Sequence, residues 1–207
     1  MTDALTRIAD ALDRLSPPVA QHAAEGKAAF RWKDTTLRAV PNFAPVALDL
    51  LTGIDAQKQA LLTNGRRLEA GYAAHDVLLW GARGSGKSAL VKSTVAHLQA
   101  EGASLCLVEI ASSDLGTLGA LFDVLAHRPT PAVCFIDDLA FDGPDDAARV
   151  LRSVLEGGAQ ARPPHVRLYV TSNRRHIVER SMADQADPIN PRDVADDRLA
   201  LADRFGL

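Results

Sequence analysis

Eight consecutive residues carry the most specific chemistry in this chain. Gly81-Ala82-Arg83-Gly84-Ser85-Gly86-Lys87-Ser88 fills every fixed position of the pattern G-x-x-x-x-G-K-[ST]. Glycines at these spacings let the backbone wrap closely round phosphate groups, with successive N–H groups turned inward. A helix opening at Gly86 adds the positive end of its dipole. Lys87 then reaches the β- and γ-phosphates and Ser88 ligates magnesium, so the nucleotide-binding set runs from Gly81 to Ala89. With glycine near 7% of residues, chance supplies the pattern in roughly one chain in a hundred of this length. An apolar strand directly before it and an amphipathic helix directly after it sharpen the match.

A phosphate loop needs a second magnesium anchor at the end of another strand. Ala132-Val-Cys-Phe-Ile-Asp137-Asp138 supplies one. Asp137 suits the acceptor that holds magnesium through water, and Asp138 suits polarisation of an attacking water. The plainer account of both is a helix-capping pair, since acidic residues commonly follow strands. Thr171-Ser172-Asn173 ends a further apolar run. The amide of Asn173 offers a donor and an acceptor, enough to orient a water and sense a γ-phosphate; as an isolated residue it could equally cap the next helix. Arg204, just before Phe205 and Gly206, is a candidate finger reaching a γ-phosphate held by a neighbouring subunit.

Stepping outward from these residues, the elements that must position them can be read from periodicity. Asp76–Trp80, Ser104–Ile110, Ala132–Ile136 and Arg167–Thr171 read as strands. Helices fall near 86–100, 115–126, 145–159 and 175–180. Nearly continuous apolar strands alternating with helices imply an α/β fold, a parallel sheet covered on both faces. Upstream, Leu50, Leu51, Ile54, Leu61, Leu62 and Leu68 recur at helical spacing through Gly71. The organisation expected is an N-terminal amphipathic helix over residues 1–15, an extended Pro-containing arm over 16–48 pinned by Phe30, Trp32 and Phe43, and a nucleotide-binding core over 49–207.

Composition excludes several classes. The 207 residues are 47% hydrophobic and 24% charged, ordinary for a folded domain. With 23 basic and 26 acidic residues there is no general attraction to nucleic acid; Arg174, Arg175 and His176 form the one compact basic cluster, as well read as a solvated helix start. Cys106 and Cys134 sit inside apolar runs and read as buried thiols, with no metal-ligand spacing around them. The N-terminus is too polar for a signal peptide and no run approaches membrane-spanning length. A cytoplasmic protein without membrane contact is expected.

Taken together these segments resemble the AAA+ superfamily of P-loop ATPases. GARGSGKS is similar to its Walker A motif, CFIDD to its Walker B, TSN to its sensor 1 and DRFG to its arginine-finger motif. LTGIDAQKQAL resembles the segment lining the adenine pocket, which implicates Gly53 and Ile54. The combination of AFRWK, GIDAQKQAL, LLWGARGSGKS, FIDDLAF, YVTSNRRH and LADRFGL resembles a bacterial family of AAA+ ATPases catalogued as a domain of unknown function, from about residue 28 onward. The resemblance implies ATP and Mg2+ as cofactors, a three-layer core and a sheet order like 5-1-4-3-2. It implies catalytic roles for Lys87, Asp138, Asn173 and Arg204, and metal ligation by Ser88 and Asp137.

The departures shape the expectations. Many such ATPases carry glutamate where Asp138 stands, one methylene longer, so slow hydrolysis is expected. The fifth strand and the helical lid follow the finger motif, and the chain stops at Leu207, so both are expected to be missing, and the P-loop strand to be an edge with unpaired backbone groups unless another segment covers it. No aromatic-hydrophobic-Gly pore loop follows the second strand. The leading function is an ATPase activated by homo-oligomerisation through a finger in trans, acting on an unknown macromolecular target. The alternative is an ATP-switched adaptor, like a helicase loader or initiator, with little turnover. A small-molecule kinase ranks below both, lacking a recognisable acceptor pocket.

Overall fold

The computed structural model describes residues 28–139, 146–155, 162–173 and 205–207. Six strands form one sheet: β1 (Ala29–Lys33), β2 (Thr36–Ala39), β3 (Val77–Trp80), β4 (Cys106–Ile110), β5 (Ala132–Ile136) and β6 (Val166–Ser172). Their order across the sheet is β2-β1-β4-β5-β6-β3. Among the described residues four α-helices accompany them: α1 (Asp55–Glu69), α2 (Lys87–Ala100), α3 (Leu118–Ala126) and α4 (Asp146–Leu155). Strands β3, β6, β5, β4 and β1 run parallel, and only β2 is antiparallel to its neighbour. The P-loop strand β3 thus borders β6, then β5, then β4, the expected order 1-4-3-2. Among the described residues no helix is long and apolar enough to cross a membrane.

Two apolar layers enclose the sheet. On one face Leu61, Leu62 and Leu68 of α1 and Leu90, Val91, Val95 and Leu98 of α2 pack on Val77, Leu107, Val133, Phe135 and Tyr169. On the other, Leu118, Leu121, Phe122 and Leu125 of α3 and Leu151 of α4 pack on Val108, Cys134, Ile136, Leu168 and Val170. β5 is buried along its whole length, which is why its sequence shows no alternation. The two thiols are buried as expected, Cys106 and Cys134 both within the second layer.

Of the segment read as an extended arm over 16–48, the described part, from residue 28, is corrected by the structure. Residues 29–39 are a β-hairpin that widens the sheet, β1 pairing with β4 and β2 with β1. Asp34 and Thr35 have φ of 51° and 56°, the left-handed pair of a two-residue type I′ turn. That turn usually advertises itself as Asn-Gly, and Asp-Thr hides it. Phe30 and Trp32 are buried as expected, on one face of β1, and the Trp32 indole N–H donates to Thr117 Oγ1 at 2.8 Å.

The outer edge of β3, expected to be unpaired unless another segment covers it, is partly met. Leu78 N–H donates to the carbonyl of Leu207 at 3.0 Å, and Phe205 is buried in the layer that holds α3. At the N-terminal ends of β3 and β6 lies a closed polar cluster. Arg162 Nη1 donates to both oxygens of Asp76 at 2.7 and 2.8 Å, and Leu168 N–H donates to Asp76 Oδ1 at 2.8 Å. Beside it Asn64 of α1 donates to the His75 carbonyl and the Tyr169 hydroxyl, both at 2.9 Å, and accepts from His75 N–H. The N-terminal helix expected over 1–15, the basic cluster 174–176 and the helix near 175–180 lie outside the described residues.

Candidate functional site

The opposite, C-terminal ends of β3, β5 and β6 carry the motif residues. The loop after β3 turns at Gly84 and Gly86, with φ of 75° and 82°, a left-handed conformation that glycine adopts without a Cβ penalty. Gly86 is the residue before α2, and its carbonyl accepts from Leu90 N–H at 2.8 Å. The loop therefore delivers its backbone N–H groups at the start of a fourteen-residue helix, where phosphate is favoured by unpaired donors and by the dipole.

Lys87 folds back over this loop. Its ammonium donates to the carbonyls of Gly81 at 3.0 Å and Ala82 at 2.8 Å, and to Asn173 Oδ1 at 3.0 Å, with Ser85 Oγ at 3.4 Å. The lysine of the P-loop and the asparagine at the end of β6 are thereby brought into contact across 86 residues of sequence. Ser88 Oγ donates to Asp137 Oδ1 at 2.5 Å. Both proposed metal-ligating residues thus stand side by side, one from α2 and one from the end of β5.

Asp138 has a φ of 52°, uncommon for a residue with a side chain. Its Oδ1 accepts a short hydrogen bond from Asn173 Nδ2, and its Oδ2 lies 3.7 Å from Arg83 Nη2. Both Arg83 and Asp138 are well exposed, so that ion pair contributes little by itself. The hydrogen bond from Asn173 matters more, because it joins the candidate water-polarising carboxylate to the amide that also meets Lys87.

One residue of the site escaped the sequence reading. Thr171 is buried, its hydroxyl donates to Asp137 Oδ1 at 2.6 Å, and Thr171 Oγ1 itself accepts from Asp138 N–H at 2.8 Å. Leu139 N–H closes the turn on the Thr171 carbonyl at 2.8 Å. Thr171 therefore fixes both acidic residues. The available signal was a hydroxyl closing the apolar run of β6, overshadowed by Asn173 two positions on.

A hydroxyl beside a carboxylate is the hard oxygen donor set that magnesium takes, usually with substrate phosphates completing its shell. Among the described residues no cluster of three or more His, Cys, Asp or Glu could hold a metal alone. Gly53, with φ of 78°, and Ile54 stand at the start of α1; Ile54 is half-buried against the layer containing Leu90 and Val91 of α2. Arg204 lies outside the described residues.

A parallel sheet with this order, with its P-loop at the end of β3 and paired acidic residues at the end of β5, defines an α/β protein of the P-loop fold. The chain belongs to the family described as "Protein of unknown function (DUF815)", which matches residues 25–207. No curated protein matches it. Among solved structures it is similar to the Holliday junction branch migration motor RuvB of Thermotoga maritima, at 19% identity over 64% of this chain and 42% of that one, with a TM-score of 0.42. It is also similar to the Orc1 protein of Aeropyrum pernix, solved in complex with DNA, at 14% identity over 70% and 47% of the two chains, TM-score 0.47. A third likeness is DnaI, at 14% identity over 89% and 93%, TM-score 0.47. The chain spans less than half the length of the first two.

Proposed function

We propose that this protein binds ATP with Mg2+ and hydrolyses it, working as a homo-oligomer in which Arg204 serves the site of a neighbouring subunit. The observation that carries the reading is convergence: Lys87, Ser88, Asp137, Asp138 and Asn173, from three separate stretches of chain, form one hydrogen-bonded group joined through Thr171. With nucleotide bound, the three donors of Lys87 turn from the loop carbonyls to phosphate oxygens, and the loop N–H groups cradle them. Ser88 and Asp137 would hold the magnesium, which would supply charge neutralisation at the phosphates. Asp138 and Asn173 hold a water for in-line attack, Asp138 accepting its proton. Gly53 and Ile54 flank the adenine. The test is calorimetry with ATP and Mg2+ on the wild type and Lys87→Ala, with turnover followed against protein concentration. Binding lost in the variant, together with turnover that rises with concentration and disappears in Arg204→Ala, supports the reading. Turnover independent of both would overturn the oligomeric part.

One observation favours a second reading, an ATP-switched adaptor. The Asp138 carboxylate is short by a methylene and engaged by Asn173 and Arg83, an arrangement suited to holding nucleotide rather than turning it over quickly. In that case ATP binding is the signal, and a macromolecular target is held in one nucleotide state. A single-stranded DNA affinity that requires ATP and falls steeply with salt supports this reading; DNA binding absent in both nucleotide states counts against it.

A further inference from the structure

The Ser88–Asp137 pair is held from below by Lys92 and Glu109, which lie outside every motif, together with Phe135 of the CFIDD segment. Lys92 follows Ser88 by four residues on α2, one turn further along the same face. Phe135 precedes Asp137 by two on β5, on the same face of the sheet. Lys92 Nζ stands 5.7 Å from the centre of the Phe135 ring and 2.5 Å from Glu109 Oε1. Glu109 lies directly opposite Phe135 in the register of β4 and β5, and its other oxygen takes Arg31 of β1 at 3.3 Å. The contacts Ser88–Asp137 and Lys92–Phe135/Glu109 are therefore successive rungs between one helix and one sheet face.

We propose that Lys92 is a positioning residue for the metal pair, setting how far Ser88 stands from Asp137 by clamping α2 to Glu109 and Phe135. The inference rests on the reading that Ser88 and Asp137 hold magnesium. The side chains of Lys92 and Glu109 are 34% and 22% exposed, so their attraction is less screened than that of a surface pair. Magnesium demands near-octahedral geometry at about 2.0–2.1 Å, so a small slide of α2 along the sheet disturbs its ligands first. Phosphate contacts from the loop N–H groups and from the long, jointed Lys87 tolerate the same slide. The clamp should therefore act on the magnesium dependence of binding rather than on nucleotide binding as such.

The test uses the full chain, with ATP binding measured by calorimetry in EDTA and across a series of free Mg2+ concentrations. Lys92→Met keeps the apolar stem over Phe135 and removes the charge. It is expected to raise the Mg2+ concentration for half-maximal enhancement about tenfold, the usual scale for a residue that supports a metal ligand, with affinity in EDTA within about twofold of wild type. Glu109→Gln is expected to move the midpoint in the same direction, and Lys92→Arg to restore most of it. An equal loss of affinity with and without Mg2+ overturns the proposal, because a general packing role predicts it; so does an unmoved midpoint. Should Lys92→Met fail to fold, Glu109→Gln decides alone. A wild type that binds no ATP in either condition overturns the proposed function itself, whereas magnesium-dependent binding with unaltered variants overturns only the clamp.

Discussion

Two polar clusters occupy opposite ends of the same strands. At the N-terminal ends, Asp76, Arg162, Asn64, His75 and Tyr169 partner one another. At the C-terminal ends, Lys87, Ser88, Asp137, Asp138, Thr171 and Asn173 do the same. The inventories are alike in hydroxyls, amides, carboxylates and cations, yet their settings differ. The first cluster is largely shielded, the side chains of Asp76 and Arg162 being 10% and 21% exposed. The second is open, with Asp138 at 51%, and it draws on left-handed backbone at Gly84, Gly86 and Asp138. Polar groups closed on each other in a shielded place specify structure; similar groups on unusual backbone, open to solvent, are available to a ligand. The expectation is that damage at one end costs stability and damage at the other costs nucleotide.

The largest separation should come from Lys87→Ala. Removing a cation that makes two or more charge-assisted bonds to phosphate costs about 4 kcal/mol of binding, near a thousandfold in Kd. The thermal midpoint without nucleotide should hardly move, since the lysine's present partners are loop carbonyls and an amide near solvent. Calorimetry and thermal unfolding on the same preparation check both halves. Next comes Arg162→Ala, which leaves the Asp76 carboxylate without its cation in a shielded site and should cost about 3 kcal/mol of folding stability. Denaturant unfolding measures that loss, and ATP affinity of the folded variant should equal that of wild type. A large affinity loss in Arg162→Ala would break the division between the two ends.

Thr171→Val sharpens the comparison because Thr171 is the one residue at the site end that is also buried. Valine keeps the shape, but the Asp138 N–H loses its acceptor and Asp137 a donor, at about 2 kcal/mol of stability. The same change frees the Asp137 carboxylate and loosens the backbone at Asp138, so magnesium-dependent binding should weaken as well. A loss of both properties, read by unfolding and by a Mg2+ titration, is expected only here.

The two ends also differ in how far the sequence disclosed them. The P-loop and Asp137 were legible because phosphate chemistry fixes residue types at fixed spacing, and the parallel strands because burial on both faces leaves continuous apolar runs. The strand Ala132–Ile136 was bounded to the residue. The hairpin 29–39 was not legible: four- and five-residue strands joined by Asp-Thr carry no turn signature, and β1 becomes a strand only by pairing with β4, distant in sequence. Lys92 and Glu109 were silent for the same reason, as an ion pair between a helix and a strand has no spacing to read. The N-terminal cluster was hidden too, since Asp76 and Arg162 meet across 86 residues of sequence.

The smallest expected effect is at Tyr169, and pH separates its contributions. Tyr169→Phe removes the hydroxyl that accepts from Asn64, and should cost about 1 kcal/mol at neutral pH. Burial pushes the phenol of Tyr169 up from 10.0 to about 12, against the smaller lowering by the Asn64 hydrogen bond. A group whose folded pKa is raised contributes stability that is full below its unfolded value and lost as pH rises through the folded one. The tyrosine's contribution should therefore be intact up to about pH 9 and decline between pH 10 and 12, as the unfolded chain gives up a proton that the folded chain keeps. The stability gap between wild type and Tyr169→Phe must then narrow over that window. Cys106, pushed by burial from 9.0 to about 11, and Cys134, also raised by burial, lower the stability of both proteins alike from pH 9 upward, so the difference between them isolates the tyrosine. A gap that stays constant to pH 12 would mean that the hydroxyl reaches water in the folded state, and the closed character of the N-terminal cluster would fail with it.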